Sequence, residues 1–151
     1  MLPRVEGPAV ELAREGAAAP AEGPATLGTV LYIEDNLSNL RLVERLLARR
    51  PNVKLLSAMQ GRLGLELARE HRPGLILLDL QLPDIPGVQV LERLQRDGRT
   101  SQIPVVVISA DATPGQTERL RAAGAREFLT KPLDVKKLIQ LLDETLNEGE
   151  R

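Results

Sequence analysis

The feature that most constrains the fold is a repeated alternation between short apolar runs and longer segments with helical periodicity. Segments between and after the apolar runs carry aliphatic residues three and four positions apart, which indicates amphipathic helices. Strands that alternate with helices are typical of a parallel sheet covered on both faces. The predicted strands are 29–33, 53–58, 75–78, 105–108 and 127–130.

The order of these strands follows from the way parallel strands connect. Crossovers between parallel strands are right-handed, which leaves few topologies. We therefore predict an α/β fold, a doubly wound five-stranded parallel sheet in the flavodoxin-like order 2-1-3-4-5, with helices on both faces. In that order a crevice forms where strands 1 and 3 end side by side. A site is thus predicted at the carboxyl ends of those strands.

The chain divides into a tail and one domain. Residues 1–26 are rich in Ala, Pro, Gly and Glu and offer few large apolar side chains, so we predict a disordered tail there and a single domain over residues 27–148. A net charge of -1 gives no reason to expect direct nucleic-acid binding. No apolar run approaches the roughly 20 residues of a membrane helix. The absence of cysteine excludes disulfides and thiolate metal sites and fits a cytoplasmic location.

Three acidic residues follow two strands that should be neighbours. Glu34 and Asp35 come directly after strand 1, and Asp79 comes directly after strand 3. Carboxylates that converge in a crevice repel one another and require either a cation or a raised pKa. Mg²⁺ prefers oxygen ligands and keeps part of its water shell. We therefore predict a Mg²⁺ site, with Mn²⁺ as the alternative ion.

Two further polar residues follow strands 4 and 5 and should face the same rim. Ser109 can donate a hydroxyl hydrogen bond, and Lys131 supplies an ammonium suited to an anionic oxygen. The small side chain of Ala110 leaves room above Asp79. Taken singly, each of these residues is an ordinary cap, turn or surface residue. Together, a carboxylate nucleophile, a divalent cation, a hydroxyl and an ammonium predict a phosphoryl-transfer site.

Five separated segments, covering about residues 28–147, carry the site residues at fixed intervals. The segments are Ile33-Glu-Asp-Asn36, Leu77-Leu-Asp-Leu80, Leu82-Pro-Asp84, Ile108-Ser-Ala110 and Phe128-Leu-Thr-Lys-Pro132. Asp79 follows Asp35 by 44 residues, Ser109 follows Asp79 by 30, and Lys131 follows Ser109 by 22. In type and in spacing, these segments resemble the receiver domains of two-component response regulators.

For the metal site, the resemblance implies that Asp79 is the phosphoacceptor and a metal ligand. It also implies that Glu34 and Asp35 are the acid pair and that Gln81 offers its backbone carbonyl to the ion. The first acid is Glu where the family more often has Asp, and the additional methylene should still permit ligation. Pro86 stands where a polar residue is common, which should stiffen the loop without altering the chemistry.

For the switch, the resemblance implies that Ser109 and Lys131 are the catalytic hydroxyl and lysine, and that Ser109 and Phe128 move on phosphorylation. The expected output face is helix 4, strand 5 and helix 5. We also predict a cis peptide bond between Lys131 and Pro132. The implied phosphoryl donor is a histidine kinase or a histidine phosphotransfer protein. Only four residues follow Asn147, so we expect the signal to reach a downstream protein partner, self-association, or another domain of a longer natural chain.

Two classes of function remain open. The first is a signalling phosphoacceptor, either a stand-alone, chemotaxis-regulator-like protein or the receiver of a hybrid sensor kinase. The second is a metal-dependent phosphatase that works through an aspartyl-phosphate. Such enzymes usually have an acid two residues beyond the nucleophile, where this chain has Gln81, so we expect that it is not an enzyme. A receiver-like module without phosphorylation is disfavoured because every site position is filled. The only histidine, His71, lies in a helix-end signal and is expected to be a surface residue.

Overall fold

The sheet has the predicted number, direction and order of strands. The computed structural model describes residues 28–110 and 113–149, so the predicted tail over residues 1–26 lies outside the described residues. All pairings are parallel and the order is β2-β1-β3-β4-β5, which confirms the predicted doubly wound fold. The strands are β1 (Thr29–Ile33), β2 (Lys54–Ala58), β3 (Leu75–Asp79), β4 (Val105–Ser109) and β5 (Glu127–Thr130).

Five helices cover the two faces of this sheet. Apolar residues of α1 and α5 pack on one face, while those of α2, α3 and α4 pack on the other. His71 is the last residue of α2 and is exposed, as predicted. Among the described residues, no helix combines the length and the apolar character that crossing a membrane requires. The helices are α1 (Leu37–Ala48), α2 (Gly61–His71), α3 (Gly87–Arg96), α4 (Pro114–Ala122) and α5 (Val135–Gly149).

Helices α1 and α5 begin at side chains that cap them, and α4 is followed by a glycine. Asn36 accepts the backbone N–H of Asn39 at 3.0 Å at the start of α1, and Asp134 accepts that of Lys137 at 3.2 Å at the start of α5. Gly124 follows α4 with φ +116°, a conformation that favours glycine. Helix α5 continues two residues beyond the end near Asn147 that the sequence suggested.

The register of the sheet brings the strand ends to one edge. Ile33 of β1 pairs with Leu78 of β3, and Asp79 of β3 pairs with Ile108 of β4. Every residue of β1 and β3 is buried, which explains the continuous apolar runs of these strands. Strands β3 and β4 are each one residue longer than predicted. Asp79 is the last residue of β3, and Ser109 is the last residue of β4.

Candidate functional site

Three carboxylates converge where β1 and β3 end, as the strand order predicted. Glu34, Asp35 and Asp79 each offer one oxygen, and these oxygens all lie within 4.8 Å of one another. The Glu34 side chain is fully buried and Asp79 is 2% exposed, whereas Asp35 is exposed to solvent. The cluster therefore has two buried carboxyl groups at its base and one exposed acid at its mouth.

The carboxylate of Glu34 is held by three donors. The Tyr32 hydroxyl and the Asn39 side-chain amide both donate to Oε1, at 3.0 and 3.1 Å. The backbone N–H of Asn36 donates to Oε2 at 3.2 Å. Burial, followed by the proximity of Asp79, nevertheless raises the pKa of Glu34 above its ordinary value. The charge of Lys131 and the Tyr32 hydrogen bond act in the opposite direction.

The carboxylate of Asp79 is held between a side chain and a backbone group. The ammonium of Lys131 donates to Oδ2 at 3.2 Å, and the backbone N–H of Gln81 donates to Oδ1 at 3.2 Å. The same ammonium lies 3.9 Å from Oε1 of Glu34, so one cation is shared by two buried acids. Lys131 reaches this position because its own backbone N–H donates to the carbonyl of Ser109 at 3.1 Å. The peptide bond that follows it, to Pro132, is cis, which confirms that prediction.

A cavity of about 290 Å³ opens above Asp79. Ser109, Ala110 and Gln81 are among the residues that line it. Gln116 on α4 also lines the cavity, so this helix contributes to the space around the acid. The cavity gives a small anionic group access to Asp79 from the side on which the hydroxyl and the small alanine side chain were predicted.

The loop between β3 and α3 is anchored to α2 by one side chain. Asp84 accepts the backbone N–H of Gly61 at 2.7 Å and that of Arg62 at 2.9 Å, at the start of α2. These hydrogen bonds, of which the one from Arg62 is the largest cause, lower the pKa of Asp84. A Cβ on Gly87 would lie 2.7 Å from the carbonyl oxygen of Asp79, so the loop can pass this close only with glycine.

The aromatic side chain of Phe128 lies on β5, opposite Val107 of β4. It is partly buried and packs against the core cluster that includes residues of α2, α3 and α4. The guanidinium carbon of Arg121 on α4 lies 4.9 Å from the centre of its ring, a distance at which cation–π attraction operates. The aromatic predicted to switch thus already contacts the helix predicted to carry the output.

The structure brings together the predicted acids and lysine, and it places Ser109 and Gln81 at the cavity above them. Sequence reasoning missed the side chains that hold these groups in place. Tyr32 stands two positions before Glu34 on the same side of its strand, which was a usable signal for their contact. The remaining contacts depend on how separate elements pack together. The missed residues are Tyr32, Asn39, Arg121 and Gln116, together with the capping role of Asp84.

The donor set fits a hard divalent cation. All three clustered side chains offer carboxylate oxygens, which Mg²⁺ prefers over nitrogen or sulfur. Two of the acids are buried beside one shared ammonium, so additional positive charge would offset their repulsion. The exposed third acid leaves the solvent side open, which suits an ion that retains water ligands.

Comparison with known proteins supports the resemblance that the sequence motifs suggested. Residues 30–143 match the family model of the response regulator receiver domain. The polar-differentiation response regulator DivK of Brucella anthropi is 35% identical over 121 residues, which cover 80% of this chain and 98% of the relative. Its counterpart in Brucella ovis is 34% identical over the same length.

Solved structures show the same fold at lower identity. The receiver domain of the sensor histidine kinase PA1611 from Pseudomonas aeruginosa, described with a magnesium ion in its active-site cleft, has a TM-score of 0.71 and 24% identity. The match covers 80% of this chain and 98% of that one. The chemotaxis protein CheY4 of Vibrio cholerae has a TM-score of 0.72 and 22% identity, over 78% of this chain and 98% of that one.

Proposed function

Because the chain belongs to the response regulator receiver domain family, we propose that it is the phosphoacceptor of a two-component system and that Asp79 receives the phosphoryl group. The observation that carries this assignment is the setting of Asp79 itself. Its carboxylate is buried at the end of β3, contacts the Lys131 ammonium, and borders a cavity of about 290 Å³. Among the three clustered acids, Asp79 alone lines that cavity.

The metal site follows from the same cluster. Glu34, Asp35 and Asp79 would hold Mg²⁺, with the backbone carbonyl of Gln81 as a further ligand and Mn²⁺ as the alternative ion. A bound ion would offset the negative charge that the acids and a phosphoryl group share. The proposal is supported by the 4.8 Å convergence of the three carboxylate oxygens and by the magnesium ion described for the PA1611 receiver.

In the proposed reaction an oxygen of Asp79 attacks the phosphorus atom of a phosphohistidine on a histidine kinase or a histidine phosphotransfer protein. The phosphorus–nitrogen bond breaks, its electron pair returns to the imidazole, and the product is an acyl phosphate on Asp79. Lys131 is already 3.2 Å from this carboxylate and would pair with a phosphoryl oxygen. Ser109, at the cavity wall, would donate its hydroxyl to another.

We propose further that the phosphoryl group is received and read rather than turned over. Gln81 occupies the position at which aspartyl-phosphate phosphatases usually carry a second acid, so a phosphatase is the weaker alternative. Movement of Ser109 toward the phosphoryl group would release space for Phe128 and change the surface of α4, β5 and α5. A downstream protein partner or a second copy of the chain would read that surface. A cytoplasmic location, where such kinases present their phosphohistidine, is part of the proposal.

The experiment is phosphorylation by a small-molecule donor followed by intact-mass analysis. The full chain is incubated with acetyl phosphate and Mg²⁺, and we expect the mass of one phosphoryl group to be added. Asp79→Asn should abolish the addition, and excess EDTA should suppress it in the wild type. Asp97→Asn is the matched control, because Asp97 lies beyond α3 and pairs with Arg99. Addition to Asp79→Asn at the wild-type rate would contradict the assignment.

A further inference from the structure

Two side chains that the proposed reaction does not use converge on one oxygen of Glu34. The Tyr32 hydroxyl donates to Oε1 from β1, and the Asn39 side-chain amide donates to the same oxygen from the first turns of α1. Both hydrogen bonds involve a carboxylate that is fully buried, where water replaces a lost donor less readily than at the surface. Each donor should therefore contribute more here than it would on the surface.

The geometry matters because Glu34 is longer than the aspartate more common at this position. Its additional methylene adds one rotatable bond between the backbone and the carboxylate, so the carboxylate has more orientations to choose from. Donors from a strand and from a helix, meeting on Oε1, oppose rotation about the terminal bond. The Asn36 N–H, which donates to Oε2, restrains the second oxygen.

We propose that Tyr32 and Asn39 are positioning residues that hold the carboxylate of Glu34 in the orientation that binds the divalent cation. This inference rests on the proposed metal site. Both would act through Glu34, to which they donate hydrogen bonds. Side chains that orient metal ligands typically change metal affinity by roughly 10–100-fold when removed. Because two donors restrain the same oxygen, removal of either one should have an effect at the lower end of this range. We therefore expect about a 10-fold loss of Mg²⁺ affinity for each single variant.

Tyr32 also provides a spectroscopic signal from this site. It is the only tyrosine in the chain, which has no tryptophan, so the phenol emission comes from one position. The phenol is fully buried, and both burial and the negative charge of Glu34 raise its pKa. Its environment includes the Glu34 carboxylate, to which its hydroxyl donates. We expect the emission to change as Mg²⁺ is added to the wild-type protein.

The experiment measures Mg²⁺ affinity of the full chain from backbone amide shifts in the wild type, Tyr32→Phe and Asn39→Ala. The same variants are then made in a Glu34→Asp background, where the carboxylate is drawn back by one methylene from the Tyr32 hydroxyl and the Asn39 amide. Tyr32→Phe and Asn39→Ala should weaken binding about 10-fold with Glu34 present and have no effect with aspartate there. Asn52→Ala, at an exposed position before β2, is the matched control for Asn39→Ala and should bind normally.

The outcomes separate the two proposals. Equal Mg²⁺ affinity of the wild type and Tyr32→Phe, in a protein still phosphorylated on Asp79, would overturn the positioning role and leave the phosphoacceptor assignment standing. An equal loss in the Glu34 and aspartate backgrounds would also overturn it, because the effect would then not pass through Glu34. Failure of the wild type to bind Mg²⁺ at all would overturn both. Thermal unfolding without Mg²⁺ identifies any variant that loses affinity only because it is less folded.

Discussion

Arg121 lies over the face of Phe128, with the guanidinium carbon 4.9 Å from the ring centre. The contact joins α4 to β5 in the unphosphorylated protein. It is exposed on the arginine side and partly buried on the aromatic side. A cation–π contact of this kind is worth about 0.5–1 kcal/mol. Arg121 therefore stabilises the present packing of Phe128 relative to any packing in which the ring moves away.

The first prediction is that Arg121→Ala makes the phosphorylated packing easier to reach. Loss of about 0.5–1 kcal/mol from the unphosphorylated state corresponds to roughly a two- to five-fold shift of the equilibrium. Beryllofluoride, a phosphoryl mimic, should bind the variant about two- to five-fold more tightly when followed by amide shifts. Arg119→Ala, at an exposed neighbouring position on α4, should leave the affinity unchanged. Unchanged affinity in Arg121→Ala would mean that the contact does not bias the switch.

The second prediction concerns Gly87 at the start of α3. A Cβ there would lie 2.5 Å from the Cα of Leu80 and 2.7 Å from the carbonyl oxygen of Asp79. Both are backbone atoms, so the loop itself must move. Gly87→Ala should lower the free energy of unfolding by about 1–3 kcal/mol and slow phosphorylation of Asp79.

The control for this variant is Gly115→Ala on α4, where an added Cβ meets nothing within 4 Å. Alanine is the better helix former, so this change should be neutral or slightly stabilising. Urea unfolding and the acetyl phosphate assay measure the two effects. Wild-type stability in Gly87→Ala would show that the loop can yield without cost.

The third prediction is that the anchor formed by Asp84 depends on pH. Hydrogen bonds from the backbone of Arg62 and Gly61 lower the pKa of Asp84 below its ordinary value of 3.8. The folded state thus binds fewer protons at this site than the unfolded state, and the contribution to stability is fully present above pH 3.8. It is lost as the pH falls through the lower folded value.

Asp84→Ala should accordingly lower the unfolding temperature at pH 7, and the difference from the wild type should shrink below pH 3.8. Glu118→Ala, at an exposed position on α4, provides the carboxylate control. Unfolding temperatures measured at several pH values give the comparison. A gap between wild type and Asp84→Ala that stays constant into acid would assign its origin to something other than the carboxylate.

The sequence predicted the sheet and the convergence of the site for a clear physical reason. Continuous apolar runs indicate buried parallel strands, and the residues that follow them must share one edge. Asp79 and Lys131 are 52 residues apart, yet their contact follows from strand order and from the matching motifs. The pattern of strands and helices thus places the site residues correctly at the carboxyl ends of their strands.

The side chains that hold the site could not be predicted in the same way. Tyr32 was given no role at the site, although its position two residues before Glu34 places both side chains on one side of the strand. Its hydroxyl contact with Glu34 depends on the orientation of a side chain, which periodicity does not specify. The Arg121–Phe128 contact depends on the rotation of α4 against β5, and α4 is the least amphipathic of the helices, so its sequence says little about which side faces the sheet.

Lys131 is tied at both ends, through its backbone to Ser109 and through its ammonium to Asp79. The geometry of the site therefore depends on the alignment of neighbouring strands. An added residue inside β5 would place Thr130 at the position of Lys131, and a deleted residue would place Pro132 there. The loops at the other end of the sheet, where the strands begin, carry no residue of the site. An added Cβ at Gly98, between α3 and β4, meets nothing within 4 Å. We expect insertions and deletions to be accommodated there, whereas a change in residue count at the strand ends of the acidic edge would misalign the groups that form the site.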